Sequence, residues 1–302
     1  MKLTCVTATF NCIKAGNRDR LIRCVESVAK LKTAHEHLIY DGASTDGTVE
    51  LLLELEAKTP GLKVVSKPDT GIYNALNKGV RDAKGEWFYV LGADDYISHP
   101  EILDSLICDE CPITKVIVAP IERDGMDPYF TNLADLKRIL MGVAYSHQGV
   151  IVRTHTMREF GGFDETYKIA AEGDLFFRMH KRALCFRYTF RPFANFFLGG
   201  VCMTNFDSTQ EEVSRIMAKH LNISENERII AGQKGYWPLR AILPFLFHHD
   251  LALRTSAWHF AFAPLKRIVR LIRHSIVHAI RAVINFMLTN SAIHKRNVVR
   301  KN

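Results

Sequence analysis

Hydrophobic and polar positions follow two alternating patterns over the first third of the chain. Short runs rich in β-branched and aromatic residues predict strands at 3–9, 37–40, 62–66 and 86–91. Between these runs, apolar residues three and four positions apart predict helices at 19–31, 48–57 and 73–83. Strands that alternate with helices at this spacing predict an α/β domain with a mostly parallel sheet and right-handed crossovers.

The pattern changes over the rest of the chain. Further strands are expected at 115–120, at 148–152 and once or twice within 185–201, and helices at 133–141 and 174–181. From residue 209 onward only helical patterns remain. The sequence therefore predicts an α/β domain at 1–207 and a helical extension at 208–302.

Composition narrows the class of protein. The 302 residues are 47% hydrophobic and 24% charged, which is typical of a globular protein. Seven cysteines without a framework spacing indicate reduced thiols and a cytoplasmic location. The first residues are too polar for a signal peptide, and no apolar run is long enough to span a bilayer.

The positive charge is concentrated at the C-terminal end. The net charge is +8, and residues 240–302 contain eleven Lys and Arg against one acidic residue. Residues 264–288 predict an amphipathic helix with one basic face, and aromatic residues precede it. We expect residues 258–302 to bind an anionic membrane surface, which would place the protein on the inner face of the cell membrane.

The basic segment has two other interpretations, a packed helix and a nucleic-acid site. A helix packed on its own domain, with its cations merely solvated, would show the same pattern. Nucleic acid is not expected as a partner, because no recognition motif accompanies the charge.

Polar side chains follow the ends of four predicted strands. They are Asn11, Asp41, Asp69 and Asp95. Because ligands of parallel sheets bind beyond the carboxyl ends of the strands, one crevice can collect all four side chains. The sequence therefore predicts a ligand site at this edge of the sheet.

Two adjacent acids, Asp94 and Asp95, end the strand at 86–91. Neighbouring carboxylates repel each other unless a cation lies between them, and Mg²⁺ or Mn²⁺ prefers oxygen ligands and leaves positions for phosphates. A solvated loop or a helix N-cap would also explain an isolated pair. The other polar strand ends favour the metal.

Four segments in order carry a family resemblance. They are Thr7–Asn11, Asp41–Thr48, Lys67–Gly79 and Gly85–Asp95, and the third contains Gly-Ile-Tyr-Asn-Ala-Leu-Asn-Lys-Gly. The chain resembles the family-2 glycosyltransferases with the GT-A fold over residues 1–205, in the branch that makes bacterial surface polysaccharides. The resemblance implies inverting transfer of a sugar from a nucleotide-sugar donor to a glycan or lipid-linked acceptor.

The resemblance also implies a set of donor residues. Thr9 and Asn11 would contact the nucleoside, and Asp41 could accept the N3–H of uracil, which favours a UDP-linked donor. Asp69 begins a helix whose N-terminal amides could face the donor. Asp94 would bind ribose or a metal-bound water, and Asp95 the metal. Gly42 and Gly92 stand where the family more often has acids.

On the acceptor side, the family's catalytic carboxylate falls on Glu172, with Asp174 as the substitute. Ala171 replaces the first acid of that motif. A Glu is adequate as a general base when a partly apolar pocket raises its pKa. His147 could reach the diphosphate or the metal, or it could be a packed core histidine.

Two further functions stay open at this point. A sugar-1-phosphate nucleotidyltransferase also uses an α/β sheet and a divalent metal, but it should have a glycine-rich loop after the first strand, and Thr9–Lys14 contains no glycine. A degenerate domain that binds nucleotide or anchors partners through its tail would explain the losses at Gly42, Gly92 and Ala171.

Overall fold

The computed structural model describes residues 1–108, 111–123, 126–129, 139–140, 145–182, 184–199, 205–234 and 242. Its strands are β1 (Leu3–Thr9), β2 (His35–Asp41), β3 (Leu62–Ser66), β4 (Trp87–Val90), β5 (Tyr96–Ile97), β6 (Val116–Val118), β7 (Ile121–Arg123), β8 (Met126–Tyr129), β9 (Val150–Arg153), β10 (Phe186–Tyr188) and β11 (Ala194–Phe196). Its helices are α1 (Arg18–Ala29), α2 (Thr48–Lys58), α3 (Ile72–Asp82), α4 (Pro100–Cys108), α5 (Thr154–Glu159), α6 (Ala171–Lys181), α7 (Phe206–Leu221) and α8 (Glu225–Lys234). A 3₁₀ turn, His147–Gly149, precedes β9.

Seven strands form the main sheet, in the order β10-β6-β9-β4-β1-β2-β3. Only β9 runs antiparallel to its neighbours β4 and β6, and the other neighbouring pairs are parallel. The predicted α/β fold with a mostly parallel sheet is therefore confirmed. A second sheet contains four short strands in the order β5-β11-β7-β8, and all four follow β4 in the sequence.

The later strands differ from their predicted bounds. The run at 115–120 ends at Val118, and Pro120 separates β6 from β7 because proline has no backbone N–H for the ladder. The segment at 185–201 gives two strands in different sheets, β10 and β11, with Pro192 between them. The predicted helix at 133–141 lies outside the described residues apart from 139–140, and so does the basic segment 258–302.

The main sheet is buried on both faces. Phe88 of β4 and Val6 of β1 face the core formed with α3, α6 and α7. Trp87 and Tyr89 point to the opposite face and pack with residues of α1 and α4. This alternation follows from the two-residue period of a strand, and it fixes which side each helix covers.

Helix α7 begins at Phe206, almost at the predicted boundary between 207 and 208. Its apolar residues Val213, Ile216 and Met217 are buried in the same core as the main sheet. The division into 1–207 and 208–302 stays a prediction, but α7 itself packs on the sheet domain. Among the described residues, no helix combines the length and the apolar character needed to cross a membrane.

Candidate functional site

The first group of predicted site residues lies after β1, β2 and β3. Asn11 has a positive φ of 47°, accepts the backbone N–H of Thr45 through Oδ1 at 3.0 Å, and donates its own N–H to Ser44 Oγ at 2.7 Å. The loop after β1 is thereby joined to the loop after β2. Parallel pairing of Thr9 with Asp41 brings both residues to the same edge.

Asp41 is almost fully buried and accepts four hydrogen bonds. Oδ1 accepts from Thr9 Oγ1 at 3.1 Å and Ser44 Oγ at 2.5 Å, and Oδ2 from the Ser44 N–H and Ser66 Oγ, both at 2.8 Å. A carboxylate has about four acceptor positions, so these four protein hydrogen bonds occupy all the acceptor positions of Asp41. Recognition of uracil by Asp41, as predicted, requires one of these donors to give way.

Asp69 lies against Gly42. A Cβ atom at position 42 would lie 3.2 Å from Asp69 Oδ2 and 3.2 Å from Phe10 Cδ2. The carboxylate of Asp69 therefore occupies the space beside Gly42, although residue 42 itself is not an acid. Asp69 Oδ1 accepts the N–H of Gly71 at 3.0 Å, and the Phe10 ring beside it is 65% exposed.

The second group surrounds Asp94 and Asp95, directly after β4. Asp95 is 2% exposed, and its Oδ1 accepts the N–H of Phe197 at 2.9 Å while Oδ2 accepts the amide of Gln148 at 2.8 Å. Burial first, and then the charge of Asp94, raise the pKa of Asp95 to about 6. Burial also raises the pKa of Asp94. A cation beside the pair would relieve this cost.

Gly92 explains how two carboxylates fit at this turn. A Cβ atom at position 92 would lie 2.5 Å from Asp95 Oδ2 and 3.0 Å from Asp94 Oδ1. An acid at position 92 would therefore displace the pair. Among the residues that the structure describes, no cluster of three or more His, Cys, Asp or Glu could hold a metal ion. The pair fits a divalent cation only if diphosphate and water supply its other ligands.

Glu172 lies in the first turn of α6 and has two partners. Its Oε2 accepts the hydroxyl of Tyr73, and its Oε1 is 3.6 Å from His147 Nδ1. Burial alone would raise the pKa of Glu172, but the hydrogen bond and charge of His147, together with the Tyr73 hydroxyl, hold it below its ordinary value. The carboxylate is therefore ionised at neutral pH, although its side chain is only 19% exposed.

The surroundings of Glu172 are otherwise apolar. A pocket beside it is lined by Phe88, Val90, Val150, Val152, Met157, Phe163, Leu175 and Phe176, with His147 and Glu172 as its polar members. The sequence predicted that such a pocket would raise the pKa of the base. Burial does act in that direction, but His147 and the Tyr73 hydroxyl outweigh it.

His147 contacts Glu172, and the charges of Asp94 and Asp95 also act on its imidazole. Burial would lower the pKa of this imidazole, but Glu172, Asp95 and Asp94 outweigh burial and raise it. The three carboxylates favour the protonated form of the ring. His147 is therefore brought together with the predicted base and the Asp pair.

Asp174 is not brought to this site. It is fully buried, and its carboxylate accepts Lys219 Nζ at 2.9 Å, His220 Nε2 at 2.7 Å and Arg178 Nε at 2.7 Å. Residues two positions apart on a helix point roughly 160° apart, so Asp174 and Glu172 face different sides of α6. Hydrogen bonds from His220, Lys219 and Arg178, together with the charge of Arg178, hold the pKa of Asp174 far below its ordinary value against burial. Asp174 stays a prediction as the substitute base, and in this structure its oxygens are already used by Lys219, His220 and Arg178.

Four residues of the site were not predicted by the sequence in these roles. Ser66 holds Asp41, Phe197 and Gln148 hold Asp95, and Tyr73 holds Glu172. Tyr73 lies within the most specific motif and could have been suspected from it. Phe197 acts through its backbone N–H from a distant loop, so no residue type in the sequence marks it.

Comparison with known proteins agrees with the family resemblance seen in the sequence motifs. Residues 4–127 match the model of the family described as Glycosyl transferase family 2. A PGL/p-HBAD biosynthesis glycosyltransferase of Mycobacterium tuberculosis is 27% identical over 171 residues, which cover 55% of this chain. The match spans 66% of that relative's own length, just under two thirds.

Solved structures share the fold. S. aureus TarS in complex with UDP-GlcNAc has a TM-score of 0.61 and 17% identity, covering 81% of this chain and 80% of the TarS chain. The mannosyltransferase PcManGT from Pyrobaculum calidifontis, in complex with GDP-Man and Mn²⁺, has a TM-score of 0.55 and 15% identity, covering 92% of this chain and 80% of its own. At these identities the likeness concerns the fold alone.

Proposed function

We propose that this chain belongs to glycosyltransferase family 2 and, on its GT-A fold, transfers a sugar from a nucleotide-sugar to a hydroxyl group of a glycan or lipid-linked acceptor. The observation that carries the proposal is the placement of Glu172. It is an ionised carboxylate beside His147, an imidazole whose pKa is also raised by the charges of Asp95 and Asp94. A base and a diphosphate-binding pair in one crevice are what glycosyl transfer requires.

The donor is proposed to be UDP-linked. Thr9, Asn11, Asp41 and Asp69 would contact the nucleoside, and the exposed ring of Phe10 offers an apolar face to a base. TarS binds UDP-GlcNAc and PcManGT binds GDP-Man. Both purine and pyrimidine donors therefore occur on this fold, and the preference for uridine rests on Asp41 as an acceptor for the N3–H.

A divalent cation, Mg²⁺ or Mn²⁺, is proposed as the cofactor. Asp95 and Asp94 would hold it, in keeping with the raised pKa values of both groups. When bound, such a cation neutralises the charge that develops on a departing diphosphate. The proposed metal dependence of the activity therefore rests on Asp94 and Asp95.

The chemistry assigned to the protein itself is proton removal at the acceptor. Glu172 takes the proton of the acceptor hydroxyl as its oxygen bonds to the anomeric carbon of the donor. The bond from that carbon to the diphosphate oxygen breaks, and the electron pair leaves with the nucleoside diphosphate. A single displacement of this kind inverts the anomeric centre. His147 and Tyr73 keep Glu172 ionised before the step.

Surface polysaccharide or glycolipid synthesis is the proposed setting, at the inner face of the cell membrane. The basic residues within 258–302 support a peripheral contact with anionic lipid. That segment lies outside the described residues, so this part of the proposal rests on the sequence pattern.

A donor panel tests the proposal. The purified full chain is incubated with UDP-, GDP- and CDP-linked sugars, with Mg²⁺ or Mn²⁺ and with a chelator, and the released nucleoside diphosphate is measured. We expect metal-dependent release from a UDP-sugar. Release of pyrophosphate from a nucleoside triphosphate and a sugar phosphate would identify a nucleotidyltransferase instead. Release of neither product would indicate a domain that only binds nucleotide.

A further inference from the structure

Helix α3 contains most of the most specific sequence motif, and its polar side chains contact the segment from Phe163 to Glu172. Asn74 and Asn77 donate to the carboxylate of Glu165 at 2.9 Å and 2.8 Å. Asn77 also donates to the carbonyl of Phe163 and accepts its N–H, both at 2.9 Å. The motif therefore fastens α3 to the turn that leads to α6. Tyr73 makes the remaining contact of this set, to Glu172 itself.

Packing holds the Tyr73 ring in place independently of the hydrogen bond from its hydroxyl to Glu172. Tyr73 is 6% exposed and lies in the first turn of α3, directly after the turn at Gly71. Its ring packs against Phe163 with the centroids 5.5 Å apart. A buried ring with a fixed neighbour has little rotational freedom, so the position of its hydroxyl is set by packing.

We propose that Tyr73 is a positioning residue for the general base, since it holds one oxygen of Glu172 while His147 faces the other. This role rests on the proposed function. With Oε2 bound to Tyr73 and Oε1 near His147, rotation of the carboxylate breaks both contacts. One orientation of the base is thereby favoured before the acceptor arrives, which reduces the reorganisation needed in the reaction.

Electrostatics supports the same role. A hydroxyl that donates to a carboxylate favours the ionised form, and the Tyr73 contact acts in this direction on the pKa of Glu172. His147, from the 3₁₀ turn before β9, is a second titratable group in contact with Glu172, and it acts in the same direction. Loss of the Tyr73 hydroxyl should therefore raise the pKa of the base without removing it.

The test is Tyr73→Phe, which keeps the ring and its packing. We expect kcat to fall about tenfold at neutral pH, as for the loss of a hydrogen bond to a charged group. The acidic limb of the kcat/KM profile should move to higher pH, with the KM for donor nearly unchanged. The matched control is Tyr40→Phe, which removes a hydroxyl that donates to Asp82 at 2.6 Å.

A double variant tests whether Tyr73 acts through Glu172. In the background of Glu172→Gln, Tyr73→Phe should cause no further loss of turnover, because the group it positions is already gone. Additive losses would overturn the proposal. So would an unmoved acidic limb in Tyr73→Phe, or an equal displacement in Tyr40→Phe.

A readout without turnover separates this inference from the proposed function. The carboxyl carbon of Glu172 can be titrated by NMR in protein labelled with ¹³C-glutamate, and its signal is assigned by its loss in Glu172→Gln. We expect a higher midpoint in Tyr73→Phe. An unmoved midpoint with an inactive Glu172→Gln would overturn the role of Tyr73 alone. A moved midpoint with a fully active Glu172→Gln would overturn the base assignment, and the role of Tyr73 with it.

Discussion

Glu172 and Asp174 lie two residues apart on α6, and their carboxylates have different partners. Glu172 has a hydroxyl and an imidazole as partners and lies beside the crevice. Asp174 is fully buried, and Arg178, Lys219 and His220 use its oxygens. The helical period separates the two carboxylates, so one sequence motif supplies both a candidate base and the anchor for α7.

The ion-pair cluster of Asp174 predicts a cost in stability. Asp174→Asn should lower the free energy of unfolding by about 3 kcal/mol, because it removes the buried charge that pairs with Arg178 and Lys219. The measurement is urea unfolding followed by circular dichroism. Glu172→Gln is the comparison on the same helix, and it should change stability less. Equal losses in the two variants would contradict the structural role of Asp174.

The same cluster predicts a dependence of stability on acid. The folded-state pKa of Asp174 is depressed, so its contribution is complete above the ordinary carboxyl value near 4 and is lost as pH falls below it. We expect the free energy of unfolding to decline below about pH 4, and to decline less in Asp174→Asn. Unfolding curves between neutral pH and pH 3 check this. Parallel declines in both proteins would place the sensitivity elsewhere.

Local patterns predicted the sheet, and long-range contacts decided the site. The strand ends at Asn11, Asp41 and Asp95 could be predicted because apolar periodicity and polar punctuation are properties of neighbouring residues. The donors Thr9 and Ser66 to Asp41, and the partners Gln148 and Phe197 of Asp95, come from segments far away in the chain. No periodicity encodes such pairings.

The surroundings of Asp174 show the same limit. Its motif position suggested a catalytic carboxylate, and its hydrogen-bond partners Lys219 and His220 lie more than forty residues later on α7. The pattern of α6 alone does not say which of its faces α7 covers. The chemistry of a carboxylate depends on that packing more than on its place in a motif.

The Asp94–Asp95 pair predicts metal-dependent activity that a single substitution removes. Asp95→Asn should abolish transfer and weaken Mn²⁺ binding in the presence of nucleoside diphosphate, since it removes one of two anionic ligands. The fold should persist, because burial already disfavours the charge at Asp95. Electron paramagnetic resonance of Mn²⁺ and steady-state rates check both parts. Asp19→Asn, at an exposed carboxylate on α1, is the control. Full activity of Asp95→Asn would remove the metal assignment.

The basic segment predicts binding to anionic bilayers that weakens with salt. Each Lys or Arg near such a surface contributes about 1 kcal/mol, screened over about 8 Å at physiological ionic strength. Reversal of four of these charges should move the protein to the soluble fraction in liposome co-sedimentation. The four substitutions, to Glu, are at Arg267, Arg270, Arg273 and Arg281.

A control for this experiment makes the same change in net charge elsewhere. It reverses four exposed lysines of the α/β domain to Glu, at Lys30, Lys32, Lys58 and Lys63. The control should still sediment with vesicles that contain anionic lipid. Equal release of both variants would mean that net charge alone governs the binding. Absence of binding by the intact protein at low salt would leave the tail as a structural helix.

The assignment of Glu172 as the general base is the central claim, and initial rates of nucleoside diphosphate release test it most directly. The rates are compared at neutral pH for the unaltered protein, Glu172→Gln and Asp174→Asn, at a temperature where all three are folded. Glu172→Gln should be slower by roughly 10²-fold or more with little change in the KM for donor, while Asp174→Asn keeps most of its rate. An inactive Asp174→Asn together with a fully active Glu172→Gln would contradict the assignment of Glu172 as the general base.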